Sequence, residues 1–185
     1  MTPLEGLVMG TRSGDVDPGL FGHLHRVLGL STEQAESALY HRSGLAALSG
    51  RGNDLRAVEA AAGRGDSRAQ LAIDVYAYRA RKYVGACAAA MGGLDVLAFT
   101  GGIGENSAAM RRRICEGLEF LGLRLDEEAN GRVHLEGYEA APIHDGRFPV
   151  RVFVTQAREQ WMIAQEVHRL LSRGEGSRTG GVPGA

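Results

Sequence analysis

The sequence predicts an α/β fold that is rich in helix and carries a short sheet. Two observations lead to that class. A nearly continuous apolar run at residues 94–100 ends in the turn Gly101-Gly102-Ile103-Gly104 and passes into a helical pattern. A second apolar run, at 150–155 and opened by Pro149, passes into another helical pattern at 157–171. Continuous apolar runs of that length read as buried, parallel strands. Two strand–loop–helix units in series are the mark of α/β architecture. A third observation is the glycine content, 27 of 185 residues, which is about twice ordinary usage. Much of it is gathered into turns between patterned segments.

The elements follow in order. Residues 4–18 read as a glycine-punctuated loop carrying Arg12, Asp15 and Asp17. Phe21, Leu24, Val27 and Leu28 then recur at helical spacing until Gly29. Ser31 with Gln34 matches a capping box and opens a helix to about His41. Residues 43–53 turn glycine-rich again and read as loop. Asp54 is placed to cap a short helix through Ala62, and Asp66 or Ser67 to cap the longest helix, to about Met91. On that helix Leu71, Ile73, Val75, Tyr76, Tyr83, Val84 and Cys87 wrap much of the circumference, which predicts burial on more than one side. The helix after Gly104 is expected to reach about Leu121, with short strands at 123–125 and 138–143. The last helix gathers Trp161, Ile163, Ala164, Val167, Leu170 and Leu171 on one apolar side. Residues 1–172 read as one folded portion, and 173–185 as a disordered Gly/Ser-rich tail.

Composition narrows the function. With 44% hydrophobic and 23% charged residues the chain can bury a real core. A net charge of −1 argues against a nucleic-acid binder, which carries a basic face. No run reaches the roughly 18 apolar residues of a membrane span. Met1-Thr2-Pro3-Leu4-Glu5 lacks the basic and apolar regions of a secretory leader, so a cytoplasmic protein is expected. Cys87 and Cys115 show no C-x-x-C spacing and read as two half-buried thiols in a reducing compartment.

The unit Gly101-Gly102-Ile103-Gly104 between strand and helix lets backbone approach a ligand, and the helix N-terminus offers free N–H groups. It has no lysine, so it is not a P-loop, and Ser107 stands where the dinucleotide pattern needs its last glycine. The plain alternative is a packing turn. Arg12, in Gly10-Thr11-Arg12-Ser13-Gly14-Asp15, is either a solvated loop residue or a guanidinium held rigidly for phosphate oxygens. Asp54 and Arg56 have a competing reading as a helix cap and a solvated first-turn residue, which the residues alone favour. Glu159 reads as a helix-dipole carboxylate or as a metal ligand at a strand's C-terminal end. Arg111-Arg112-Arg113 reads as a solvated helix face. Loops at strand ends are where open α/β sheets bind ligands, so the residues point to a nucleotide or phosphate site.

Several long motifs, in order, carry a resemblance that spans Thr2 to about Leu171. Thr2-Pro3-Leu4-Glu5-Gly6-Leu7, Met9-Gly10-Thr11-Arg12-Ser13-Gly14-Asp15-Val16-Asp17-Pro18, Ser49-Gly50-Arg51-Gly52-Asn53-Asp54-Leu55-Arg56, Phe99-Thr100-Gly101-Gly102-Ile103-Gly104-Glu105-Asn106-Ser107 with Arg111, and Arg151-Val152-Phe153-Val154 resemble the acetate and propionate kinases. The resemblance implies an incomplete C-terminal domain of the actin-like, ribonuclease H-like ATPase fold (the ASKHA superfamily). It implies Mg²⁺-dependent phosphoryl transfer from ATP to a short carboxylate, giving an acyl phosphate and ADP. Arg12 would grip carboxylate and phosphoryl group, because in-line transfer asks mainly for positioning and charge neutralisation. Asp54, Leu55 and Arg56 would contact ribose and phosphates. Gly101, Gly102, Ile103, Gly104, Glu105 and Asn106 would form the adenosine pocket, and Glu159 would bind Mg²⁺.

There are departures. Gln156-Ala157-Arg158-Glu159-Gln160 stands where the family usually has Pro-Thr-Asn-Glu-Glu, so a cation sits beside the expected metal carboxylate. The family's Asn-x-Gly-Ser-Ser-Ser phosphate motif and the catalytic groups of its N-terminal half have no match. The expectation is therefore a chain inactive by itself, pairing as a homodimer through this domain or working with a separate N-terminal half. The alternative is a non-catalytic nucleotide-binding or dimerisation module.

Overall fold

The protein is described by a computed structural model covering residues 2–135 and 140–175. Five helices, α1 (Gly19–Leu28), α2 (Thr32–His41), α3 (Gly44–Ser49), α4 (Leu55–Gly63) and α5 (Ser67–Met91), precede strand β1 (Val96–Phe99). Then come α6 (Gly101–Asn106), α7 (Ala108–Cys115), α8 (Glu127–Gly131), β2 (Ala141–Pro142), β3 (Arg151–Val154) and α9 (Glu159–Glu175). The sheet runs β1-β3-β2. β1 lies parallel to β3, with Val96 opposite Arg151 and Phe99 opposite Val154, and β2 is antiparallel to β3. This is the expected helix-rich α/β arrangement with a short mixed sheet.

The caps that local chemistry demands are in place. Ser31 Oγ accepts from Gln34 N, and Gln34 Oε1 accepts from Ser31 N, closing the capping box of α2. Asp54 Oδ1 accepts from Arg56 N at the start of α4, and Asp66 Oδ1 from Arg68 N and Ala69 N at the start of α5. The core lies between the sheet and helices α3, α4, α5 and α7, with Leu45, Val58, Leu123, Ile143, Val152 and Val154 shut off from solvent.

Several expectations are corrected. Residues 43–53 are not simply loop, because α3 forms between two glycines. Gly44 (φ +65°) begins it, and a Cβ there would lie 2.2 Å from the Met9 carbonyl oxygen; Gly50 ends it in the left-handed conformation. Helix α5 buries an alanine stripe, Ala69, Ala72, Ala77, Ala80 and Ala88 with Ile73, and leaves Leu71 and Tyr78 exposed. Small side chains let α3 and α4 lie close against one side of it, so large apolar residues elsewhere on its circumference stay outside. β1 is parallel as expected but not enclosed. Val96 and Ala98, on one face of the strand, are exposed, and only β3 pairs with β1 among the described residues.

The helix expected to reach Leu121 breaks at Ser107 and stops at Cys115; Ser107 Oγ instead caps α7 by accepting from Met110 N. A 3₁₀ turn, Glu119–Leu121, follows. The strand at 123–125 reduces to one bridge, Leu125 to His144, and that at 138–143 to β2, residues 136–139 lying outside the described set. The short α8, capped by Asp126, was not anticipated. Helix α9 extends to Glu175, past the expected tail boundary, and the rest of the tail lies outside the described residues. Its apolar side does not enter the core, since Trp161, Ile163, Val167, Leu170 and Leu171 are all exposed. The two thiols differ: Cys87 is exposed and Cys115 buried. Arg111 is not part of a solvated run, because its side chain is buried.

Candidate functional site

The site is built where the parallel strands end. After Phe99 the chain turns at Gly101 (φ +74°) into the short helix α6. Gly104 returns close to the strand end: a Cβ there would meet the Phe99 backbone at 3.3 Å. Asn106 Nδ2 donates to the Gly102 carbonyl at 2.8 Å. Beneath the helix, Arg111 Nη1 donates to the carbonyls of Gly104 (2.8 Å) and Glu105 (3.0 Å), satisfying acceptors at the helix end.

Glu105 couples the two strand ends. Its Oε1 accepts from Gly101 N at 2.9 Å and from Ala157 N at 2.7 Å, tying the turn after β1 to the segment after β3. Between these segments opens a cavity of about 540 Å³, with Gly101, Gly102 and Glu105 on one side and residues 156–161 on the other. Glu159 therefore faces the glycine turn, and Arg158 and Trp161 line the same space. A volume of that order suits a small organic ligand.

The loop of Arg12 is stitched to α2 and α3. Ser13 N donates to Leu39 O, Ser43 N to Thr11 O, and Leu45 N to Met9 O, all within 3.0 Å. The Arg12 guanidinium lies over the Tyr40 ring, 5.9 Å from its centroid. Asp15 anchors the loop to α5: its carboxylate accepts from Arg79 Nη2 at 2.8 Å and from the Tyr83 hydroxyl. The Tyr83 hydrogen bond first, then the Gly6 amide, holds the Asp15 carboxyl below the usual carboxylate range.

Asp54 and Arg56 are joined to each other, Arg56 Nη2 donating to Asp54 Oδ2 at 2.8 Å, and both are open to solvent. That bond is the first cause of the lowered Asp54 pKa. Leu55 has its side chain in the core, which leaves its backbone for any ligand.

Adjacent contacts link the predicted segments in a chain. Gly10 abuts Asn53, next to Asp54, with a Cβ-to-Cβ approach of 3.1 Å were Gly10 substituted. Glu59 on α4 accepts from Ser107 Oγ at 2.7 Å, beside α6. Glu105 then reaches Ala157. Of the predicted residues, Gly101, Gly102, Glu105 and Glu159 share one cavity; Arg12, Asp54, Leu55, Arg56, Ile103, Gly104 and Asn106 do not line it. A larger cleft of about 1010 Å³ lies beside α7 and α8. Its Arg112 and Arg147 are paired with its own Glu127 and Asp145, and its Arg113 with Asp74.

Residues 1–165 match the model of the acetokinase family. The chain belongs to the acetokinase family. It is 47% identical over 171 residues to an acetate kinase of Shouchella clausii, covering 92% of this chain and 42% of that protein. The crystal structure of Porphyromonas gingivalis acetate kinase superposes with a TM-score of 0.84 at 43% identity, over 92% of this chain and 42% of that one. A propionate kinase from Francisella tularensis superposes with a TM-score of 0.79 at 40% identity, over 89% of this chain and 41% of that one. The chain thus spans less than half the length of the relatives it matches.

Among the described residues no three His, Cys, Asp or Glu side chains gather as a metal cage. The carboxylates at the cavity are Glu159 and Glu105, one oxygen of the latter being held by two amides, with Gln156 and Gln160 beside them. One or two carboxylates fit an ion that keeps its waters and is carried by phosphates, as Mg²⁺ is. Sequence reasoning missed Ala157 N as the partner of Glu105, Tyr40 as the platform under Arg12, and Trp161 as a wall of the cavity. Only the presence of an aromatic two residues after Glu159 could have signalled the last.

Proposed function

We propose that this acetokinase-family chain is the nucleotide-binding, C-terminal portion of an acetate kinase. The reaction is reversible phosphoryl transfer from ATP to acetate, giving acetyl phosphate and ADP, with the nucleotide carrying Mg²⁺. The observation that carries the reading is the cavity at the C-terminal ends of parallel β1 and β3, where the glycine turn of α6 faces Glu159.

In this reading Gly101, Gly102, Ile103, Gly104, Glu105 and Asn106 hold the nucleoside, Glu105 by fixing the walls. Asp54, Arg56 and the Leu55 backbone meet ribose and phosphates. Glu159 would hold Mg²⁺, which neutralises phosphate charge when bound. Arg12, set on Tyr40 and anchored through Asp15, draws the carboxylate and the phosphoryl oxygens together. The exposed apolar residues of β1 and α9 support further polypeptide against them, either a longer chain or a separate half, and a homodimer through this domain is part of the proposal.

Calorimetric titration with Mg-ADP tests it, together with acetyl phosphate formation by the chain alone and with the remainder of an acetate kinase added. Mg-ADP binding, no turnover alone and turnover on addition of the other half, lost in Arg12→Ala, are expected. No binding at millimolar nucleotide would overturn the reading.

A further inference from the structure

We propose that Trp161 is the stacking platform for the base of the bound nucleotide. The inference rests on the nucleotide reading of the cavity and adds the element that recognises the base. Trp161 is the chain's single tryptophan. It belongs to the apolar side of α9, yet alone among the large apolar residues there it lines the cavity facing Gly101 and Gly102. The residue is 46% exposed, so it is not a core residue.

The opposite wall suits a flat ligand. Gly101 and Gly102 project no side chain, and a Cβ added at either would meet nothing within 4 Å. A ring system can lie between an indole face and bare backbone without displacing either. Arg158 and Glu159 precede the indole on the same segment and supply the polar rim at which a ribose and phosphates would leave the stack. Glu105 holds Ala157 four residues before Trp161, which fixes the start of α9 against the glycine turn. Base-on-aromatic stacking needs only a π-face and is sequence-tolerant, so an indole here recognises that a ligand has a base.

The single tryptophan makes the test direct. The full chain is titrated with Mg-ADP while tryptophan emission and calorimetric heat are followed, and inorganic tripolyphosphate serves as the ligand without a base. Saturable quenching by Mg-ADP at the calorimetric midpoint, and none by tripolyphosphate, is expected. Trp161→Ala should weaken Mg-ADP binding about tenfold and Trp161→Phe by roughly twofold, with tripolyphosphate binding unchanged in both. Calorimetric binding without quenching, equal quenching by tripolyphosphate, or unchanged affinity in Trp161→Ala would overturn the stacking role and leave the nucleotide reading standing. No calorimetric binding of Mg-ADP to the unmodified chain would overturn both. If Trp161→Ala fails to fold, the emission of the unmodified chain and Trp161→Phe decide the matter.

Discussion

Arg111 and Asn130 meet inside the core, Arg111 Nε donating to Asn130 Oδ1 and Nη2 to the Asn130 carbonyl, each at 2.7 Å. Both residues are essentially inaccessible to solvent. The same guanidinium holds the carbonyls of Gly104 and Glu105, and Asn130 Nδ2 donates to Ala108 O at 3.0 Å. A buried cation is tolerable only when its donors are satisfied, and here four acceptors from α6 and α8 do so. The pair therefore couples the core to the floor of the glycine turn.

Removing either partner should be costly for that reason. Arg111→Ala orphans several acceptors and Asn130→Ala leaves a buried guanidinium short of partners, each costing about 3 kcal/mol. For a chain of this size that lowers Tm by roughly 10 °C. Thermal and urea unfolding of both single variants and the double variant check this. The double variant should lose clearly less than the sum of the singles.

The Glu105 tie predicts a graded effect on ligand binding. Glu105→Ala leaves the Gly101 and Ala157 amides without their shared acceptor, and loss of about 1.4 kcal/mol of positioning would weaken Mg-ADP binding roughly tenfold. Glu105→Gln keeps a carbonyl oxygen at the same place and should lose roughly half that free energy. Calorimetry of the two variants separates a positioning role from direct ligand contact, in which case Gln would fare no better than Ala.

The two thiols should behave oppositely. Burial pushes the Cys115 thiol up to about 12, whereas in an unfolded chain a thiol ionises near about 8.5. Between those values the unfolded state has released a proton that the folded state still holds. Stability is then unaffected by this group below about pH 8.5 and falls as pH rises from there toward 12, by about 2 kcal/mol near pH 10. Urea unfolding from about pH 8.5 to about pH 10, compared with Cys115→Ala, should show a slope steeper in the parent by this amount, the rise of the Tyr76 and Tyr83 pKa values being common to both. A thiol reagent should label exposed Cys87 in the native protein and Cys115 only after denaturation.

Much of the fold was legible because its signals are local. Ser31 with Gln34, Asp54 and Asp66 act on amides two or three residues away, so their caps read directly from the chain. The Gly101-Gly102-Ile103-Gly104 turn and the two apolar runs likewise announced strand, turn and helix. The helix α3 was hidden because Gly44 and Gly50 look like breakers, and only the approach of Met9 O to Gly44 reveals that they mark its ends.

Burial was where local reading failed. Arg111 opens a run of three arginines whose other two reach solvent, and nothing local separates it from them; Asn130, 19 residues later, is what takes it inside. Trp161 and Leu71 sit in apolar patterns but stay at the surface, since burial depends on whether another element arrives. The sequence by itself determined the caps, the glycine turns, the α/β class and the family resemblance, all set by neighbours along the chain. Only the tertiary structure decided that Glu105 joins Gly101 to Ala157, that Glu159 and Trp161 share a cavity with the glycine turn, and that Arg12 rests on Tyr40. Those contacts close over tens of residues, where side-chain reach and packing, not local propensity, select the partner.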